Sequence, residues 1–140
     1  MSRGLKQLDV LLGEWVSTSK SYSEGHGHTT VTLIEDGKFI RIESREEDER
    51  FPHSTQLVGA DDAHDECTVL YYDSRGVYRV YRMTVGDGEW RMWRNAPKFN
   101  QRYIGEIGKD GRTITGQWES SEDGKSWKVD FDLNYEKVRA

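Results

Sequence analysis

Hydrophobic and polar positions alternate along most of the chain. The clearest run is the last. Trp127, Val129, Phe131, Leu133 and Tyr135 fall on one face, and Lys128, Asp130, Asp132, Asn134 and Glu136 on the other. A period of two marks a half-buried strand, because successive side chains point to opposite faces of a sheet. The same test predicts about ten strands, near residues 14–22, 28–35, 38–49, 54–60, 67–73, 77–85, 89–95, 99–107, 112–120 and 126–138. Asp36-Gly37, Ser74-Arg75-Gly76, Gly86-Asp87-Gly88, Asp110-Gly111 and Asp123-Gly124 punctuate these runs. Asp-Gly suits a tight hairpin because glycine accepts positive φ without steric cost.

Only the N-terminus has helical spacing. Leu5, Leu8, Leu11 and Leu12 recur at three and four residues, and Gly13 follows as a stop. The predicted fold is therefore all-β. Residues 1–140 form a single antiparallel up-and-down β-barrel of about ten strands behind a short N-terminal helix. The lack of long crossover connections favours this barrel over a sandwich.

Composition narrows the partners. Leu, Ile, Val and Phe supply only 28 of 140 residues, but 5 Trp, 7 Tyr and 4 Phe provide large rings to bury. Lys and Arg number 20 against 25 Asp and Glu, a formal net charge of −5. Such an acidic chain lacks the basic face that phosphate neutralisation requires, so no nucleic-acid partner is expected. Cys67 is the only cysteine, which leaves no internal disulfide and no cysteine-based zinc site. Residues 1–12 carry Arg3, Lys6 and Asp9 among scattered leucines and do not resemble a signal peptide. No run approaches a membrane helix. A cytoplasmic protein without a membrane partner is expected, and a homodimer is compatible with this composition.

Gly13-Glu14-Trp15, placed after the leading helix and opening the first strand, resembles the G-x-W signature of lipocalins and their calycin relatives. The later order of hairpins, Ser121-Glu122-Asp123-Gly124-Lys125-Ser126-Trp127 and a final strand is similar to small bacterial calycin-like barrels, fatty-acid-binding-protein-like or heme-binding-like, of unassigned function. The resemblance implies that Trp15 closes the barrel floor with Arg139 packed across it. It also implies an internal ligand cavity.

Strand phase names the lining. Placing the apolar face of each strand inward turns Tyr81, Met83, Trp90, Met92, Phe99, Tyr103, Trp118 and Phe131 toward the lumen. Val31, Leu33, Ile40, Ile42, Val69, Tyr71, Ile114 and Leu133 share that phase, and so do four polar residues, Ser44, Arg79, Arg94 and Gln101. A charge on an apolar face is costly unless something pairs with it. In Arg79-Val80-Tyr81 a guanidinium and a phenol fall on one face. The triplet is similar to the R-x-Y of fatty-acid-binding proteins, which holds a ligand carboxylate, although there it lies on the last strand. The alternative is that Arg79 pairs with Glu35 or Glu46.

Other chemistry is thinner. His26-Gly27-His28 in a turn and the acidic loop of Asp61, Asp62, His64, Asp65 and Glu66 read as solvated, and no metal site is expected. Cys67 opens a strand beside acidic residues, which raises rather than lowers a thiol pKa. No phosphate-binding, zinc-protease or nucleophile-elbow motif occurs. Three functions remain. The first is an intracellular binding protein for a small, largely apolar molecule, anionic in one variant, held in the lumen by Arg79, Tyr81, Met83, Trp90, Met92, Arg94, Phe99, Gln101, Tyr103, Trp118 and Phe131, with no cofactor. The second is an isomerase- or cyclase-type enzyme using Tyr81, Tyr103, Arg79 or His53, so enzymatic status stays open. The third is heme binding, as in nitrobindin-like barrels, whose ligating histidine lies near the C-terminal strand. Residues 126–138 contain none.

Overall fold

A computed structural model describes residues 3–22, 26–48 and 50–140. The chain opens with helix α1 (Arg3–Lys6) and a short 3-10 turn, Asp9–Leu11. Ten strands follow almost at the predicted places: β1 (Gly13–Thr18), β2 (Gly27–Ile34), β3 (Phe39–Glu46), β4 (Ser54–Ala60), β5 (Cys67–Asp73), β6 (Tyr78–Gly86), β7 (Glu89–Arg94), β8 (Asn100–Ile107), β9 (Thr113–Ser121) and β10 (Lys128–Asp132). The last predicted run, 126–138, is divided, and its second half is β11 (Asn134–Arg139). Residue 49, the end of the predicted 38–49 run, lies outside the described residues. Residues 20–22, the end of the predicted first strand, form a second 3-10 turn instead.

Every strand pairing is antiparallel, and the sheet closes on itself. Strands β1 to β9 pair in succession, β9 pairs with β11, and β11 returns to β1. This makes a ten-stranded closed barrel with β10 as an extra strand on β9.

The break in the last run has a local cause. Tyr103 packs where Gly116 lies, and a Cβ on Gly116 would overlap the phenol oxygen. The Tyr103 hydroxyl donates to the Leu133 carbonyl at 2.9 Å. The Asn134 side-chain oxygen accepts from the Gly116 amide at 3.2 Å. A side chain thus takes over one ladder position, while Asp132↔Gln117 and Tyr135↔Ile114 keep one register on either side.

The barrel is built differently at its two ends. At one end the N-terminal leucines form a plug. Leu5, Leu8 and Leu11 are buried at 0–2% exposure against Val31, Ile40, Val58, Val69, Met83 and Ile114. Gln7 ties the plug to the wall by accepting from the Val85 amide at 3.1 Å. Trp15 is buried at 2%, and its indole N–H donates to the Leu11 carbonyl at 2.8 Å. The glycine of Gly13-Glu14-Trp15 has a steric reason. Its φ is 129°, and a Cβ there would overlap the Arg139 carbonyl.

Two expectations are corrected here. Arg139 does not pack on Trp15. It is the cross-strand partner of Glu14, its side chain is 79% exposed, and it lies 3.9 Å from the Glu14 carboxylate. Lys137, opposite Trp15 across a register shift, puts its ammonium 4.9 Å from the indole and donates to the Val10 carbonyl at 3.0 Å. Leu33, expected in the lumen, is 42% exposed, while its cross-strand partner Ile40 is fully buried.

Candidate functional site

The end away from the plug holds a cavity of about 450 Å³. That volume suits a small organic molecule. Its walls differ. Strands β1 to β4 contribute Ser17, Thr29, Ser44, Glu46, Ser54 and Gln56, a face of hydroxyls, an amide and one carboxyl. The opposite side, β6 to β11 with Leu133 between the last two strands, contributes rings and apolar groups, including Tyr81, Met92, Trp118, Leu133 and Tyr135, together with Arg79, Gln101 and Asp130.

Register explains the polar wall. Along β2, β3 and β4 the inward phase runs from apolar residues at the plugged end to polar ones at the other. Leu33, Val31 and Thr29 follow this order, as do Ile40, Ile42, Ser44 and Glu46, and Val58, Gln56 and Ser54. Thr29 and Ser44 are cross-strand partners whose hydroxyls lie 3.0 Å apart.

Arg79 sits half-buried in the cavity wall. Its Nη1 donates to Gln101 Oε1 at 3.3 Å, and the Tyr81 hydroxyl donates to the same oxygen at 2.8 Å. The guanidinium also stands 5.3 Å from the centre of the Phe99 ring. Among the described residues Arg79 makes no ion pair. Glu35 lies in the β2–β3 turn and Glu46 lines the same cavity, but neither is bonded to it. Tyr81 is 3% exposed, and burial pushes its phenol pKa up, so it acts at neutral pH as a donor.

The neighbouring Arg75 is in a different state. It donates to Asp73 through Nε at 3.2 Å and Nη2 at 2.7 Å, and the Tyr71 hydroxyl donates to the same carboxylate at 2.7 Å. Burial alone would raise the Asp73 pKa. The donors from Arg75 and Tyr71 outweigh it and hold the carboxyl at about 2. Arg75 therefore reaches the cavity already paired, while Arg79 reaches it without an ion pair among the described residues, in a lining that also holds Glu46 and Asp130. Burial raises the Glu46 pKa, partly opposed by His28 and His53.

The cavity brings together seven of the residues expected from sequence: Arg79, Tyr81, Met92, Phe99, Gln101, Trp118 and Phe131. Phe99 stands at the rim and is 40% exposed. The other four lie elsewhere. Met83 and Trp90 belong to the packed core at 0% and 6% exposure. Tyr103 lies under Trp118, with ring centres 5.5 Å apart, and hydrogen-bonds to Leu133. Arg94, the cross-strand partner of Gln101, is not among the lining residues. His53 is exposed and borders an outer groove with Ser74 and Asp73. Sequence reasoning missed Ser17, Thr29, Ser54 and Gln56, whose signal was the apolar phase continued one or two steps into polar residues, and it placed Tyr135 on the apolar face of the last run without naming it as lining.

The chain matches no protein-family model, and no curated protein matches it significantly. The closed antiparallel barrel is consistent with a calycin-like fold. No helix among the described residues is long and apolar enough to cross a membrane.

Proposed function

We propose that this protein, a barrel of calycin type, binds a small, largely apolar molecule with an acidic end in the unplugged half of its lumen. The observation that carries this reading is Arg79, a cation in the wall of a partly open cavity, which makes no ion pair among the described residues although Glu46 and Asp130 line the same cavity. A guanidinium so placed is stabilised by an anion it can hold bidentately. Tyr81 and Arg79 both donate to Gln101 Oε1, which holds the guanidinium beside the phenol in the cavity wall. Trp118, Met92 and Phe131 supply apolar contact for the body of the ligand.

A matched pair of probes tests the reading. In a calorimetric titration 2-naphthoate should bind about tenfold more tightly than its methyl ester, as a charge-assisted hydrogen bond of roughly 1.5 kcal/mol requires. Arg79→Met should remove that preference and leave the ester's affinity nearly unchanged. If neither probe binds, or the preference survives in Arg79→Met, the reading fails.

A further inference from the structure

Glu46 lines the same cavity from the end of β3, half-buried and with no hydrogen bond or ion pair among the described residues. Gln56 Oε1 also lacks a partner, but it is fully enclosed. The Glu46 oxygens are not, so a guest can reach them. The fold leaves room for this carboxyl. Gly27 is the cross-strand partner of Glu46, and a Cβ there would overlap both Glu46 Oε1 and Ser17 Oγ. Burial raises the Glu46 pKa, and His28, which partly opposes this, is bonded to Glu47 instead.

The charges of the lining do not balance. Arg75 is taken by Asp73, which leaves Arg79 against Glu46 and Asp130. A guest that brought only a carboxylate to Arg79 would add to this negative excess. Asp130 is exposed, where water screens it, whereas Glu46 loses its water when the cavity fills. A charge that loses its water without gaining a counter-charge is costly.

Register keeps Glu46 and Arg79 apart. Arg79 pairs with Tyr71, Tyr71 with Gln56, and Gln56 with Ile42. Glu46 lies further along the strand of Ile42. The two charged residues thus stand on β6 and β3, about 14 Å across the strands between backbones. One compact head group cannot serve both, so the counter-charges belong at opposite ends of the guest. The rings of Tyr81 and Trp118, 5.9 Å apart, cover its body.

Resting on the anion-binding reading above, we infer that the lumen takes an aromatic zwitterion, its carboxylate on Arg79 and an ammonium group at the far end of its ring body on Glu46. The Ser17 hydroxyl beside the Glu46 carboxyl is a second acceptor for the ammonium donors. This is a narrower class than fatty acids, whose far end carries no cation.

The test is calorimetric and samples two ring lengths. It pairs benzoate with 4-(aminomethyl)benzoate, and 2-naphthoate with 6-(aminomethyl)-2-naphthoate. At one length or both, the ammonium acid should bind about tenfold more tightly than the plain acid, the worth of one charge-assisted hydrogen bond. The hydroxymethyl acid of the same length has the same shape without the charge and should gain no more than about twofold. Glu46→Gln should remove the ammonium's advantage. The readout is the ratio between paired ligands within one protein, so a shift in the variant's affinity for the plain acid does not affect it. Should the variant fail to fold, the ammonium and hydroxymethyl acids on the parent protein still decide. If the plain acids bind through Arg79 but the ammonium adds nothing at either length, the zwitterion inference is overturned and the anion-binding reading stands. An equal gain from the hydroxymethyl group, or an advantage that survives in Glu46→Gln, overturns it in the same way. If no plain and no ammonium acid binds to the parent protein, both fall together.

Discussion

The Asp73 side chain has no solvent-exposed surface, yet it stays ionised. It does so because Arg75, Tyr71 and the Arg75 backbone amide all donate to it. Its folded pKa of about 2 lies below the ordinary carboxyl value of 3.8. A depressed pKa means that the folded state prefers the charged form. That preference stabilises the fold fully above about pH 4 and is lost as pH falls through about 2. Asp73→Asn should therefore lower the urea-unfolding free energy at pH 7 by about 2 kcal/mol, and the gap to the parent should close toward pH 2. A gap that stayed constant with pH would mean that the carboxylate's charge contributes nothing. At this scale the sequence was uneven in what it disclosed. Arg79 was legible because a cation in an apolar phase is conspicuous. Gln56 was not, since a glutamine in that phase raises no alarm and its missing partner exists only in three dimensions. The arginine expected over Trp15 was misplaced because a register shift between Glu14 and Trp15 brings Lys137 opposite the indole instead.

Between the packed half and the cavity runs a linked series of rings. It passes from Trp15 to Tyr135, Trp90, Tyr103, Trp118, Tyr81 and Tyr71, with successive centres 5.2–6.5 Å apart. Most of these pairs are edge-to-face, which adds about 0.5–1.5 kcal/mol each beyond area burial. The belt joins the N-terminal plug to the cavity floor. Trp15 anchors its lower end, under Lys137 and bonded to Leu11. Trp15→Ala should cost about 3–5 kcal/mol in urea unfolding, as a large-to-small change at a buried indole does. Arg139→Ala, at an exposed end of β11, should stay within about 0.5 kcal/mol of the parent. The reverse order would restore the arginine to the floor. The belt also shows why strand phase predicted four residues that the cavity does not use. Alternation tells inside from outside but says nothing about height along the barrel axis. Met83 and Trp90 point inward at the plugged height, where leucines fill the space. The strands themselves were legible because hairpin turns and period two agree along the chain. The split at Leu133 was not, because it arises from Tyr103 pressing on Gly116 across the sheet.

Taken along its axis, the barrel is an asymmetric vessel. One end is sealed by leucines, and the other is lined by hydroxyls, two acids and an arginine without an ion pair among the described residues. Ten strands give a bore wider than the eight that side chains alone just fill. The plug and the aromatic belt fill one end of it, and a cavity of about 450 Å³ remains at the other. The central claim is that an aromatic anion enters this half and meets Arg79. The five tryptophans make it measurable in one experiment, because their indole N–H groups sit in different places. Trp118 lines the cavity. Trp127 lies outside it, 4.0 Å from the Arg102 guanidinium, and Trp93 is opposite Arg102 on the outer face. In a nitrogen–proton correlation spectrum, adding 2-naphthoate should shift the Arg79 Nε–H and Trp118 indole signals together, with one saturation curve, while those of Trp93 and Trp127 stay in place. Signals of Trp93 and Trp127 that moved while Arg79 and Trp118 did not would contradict the account and put the anion on the outside of the barrel.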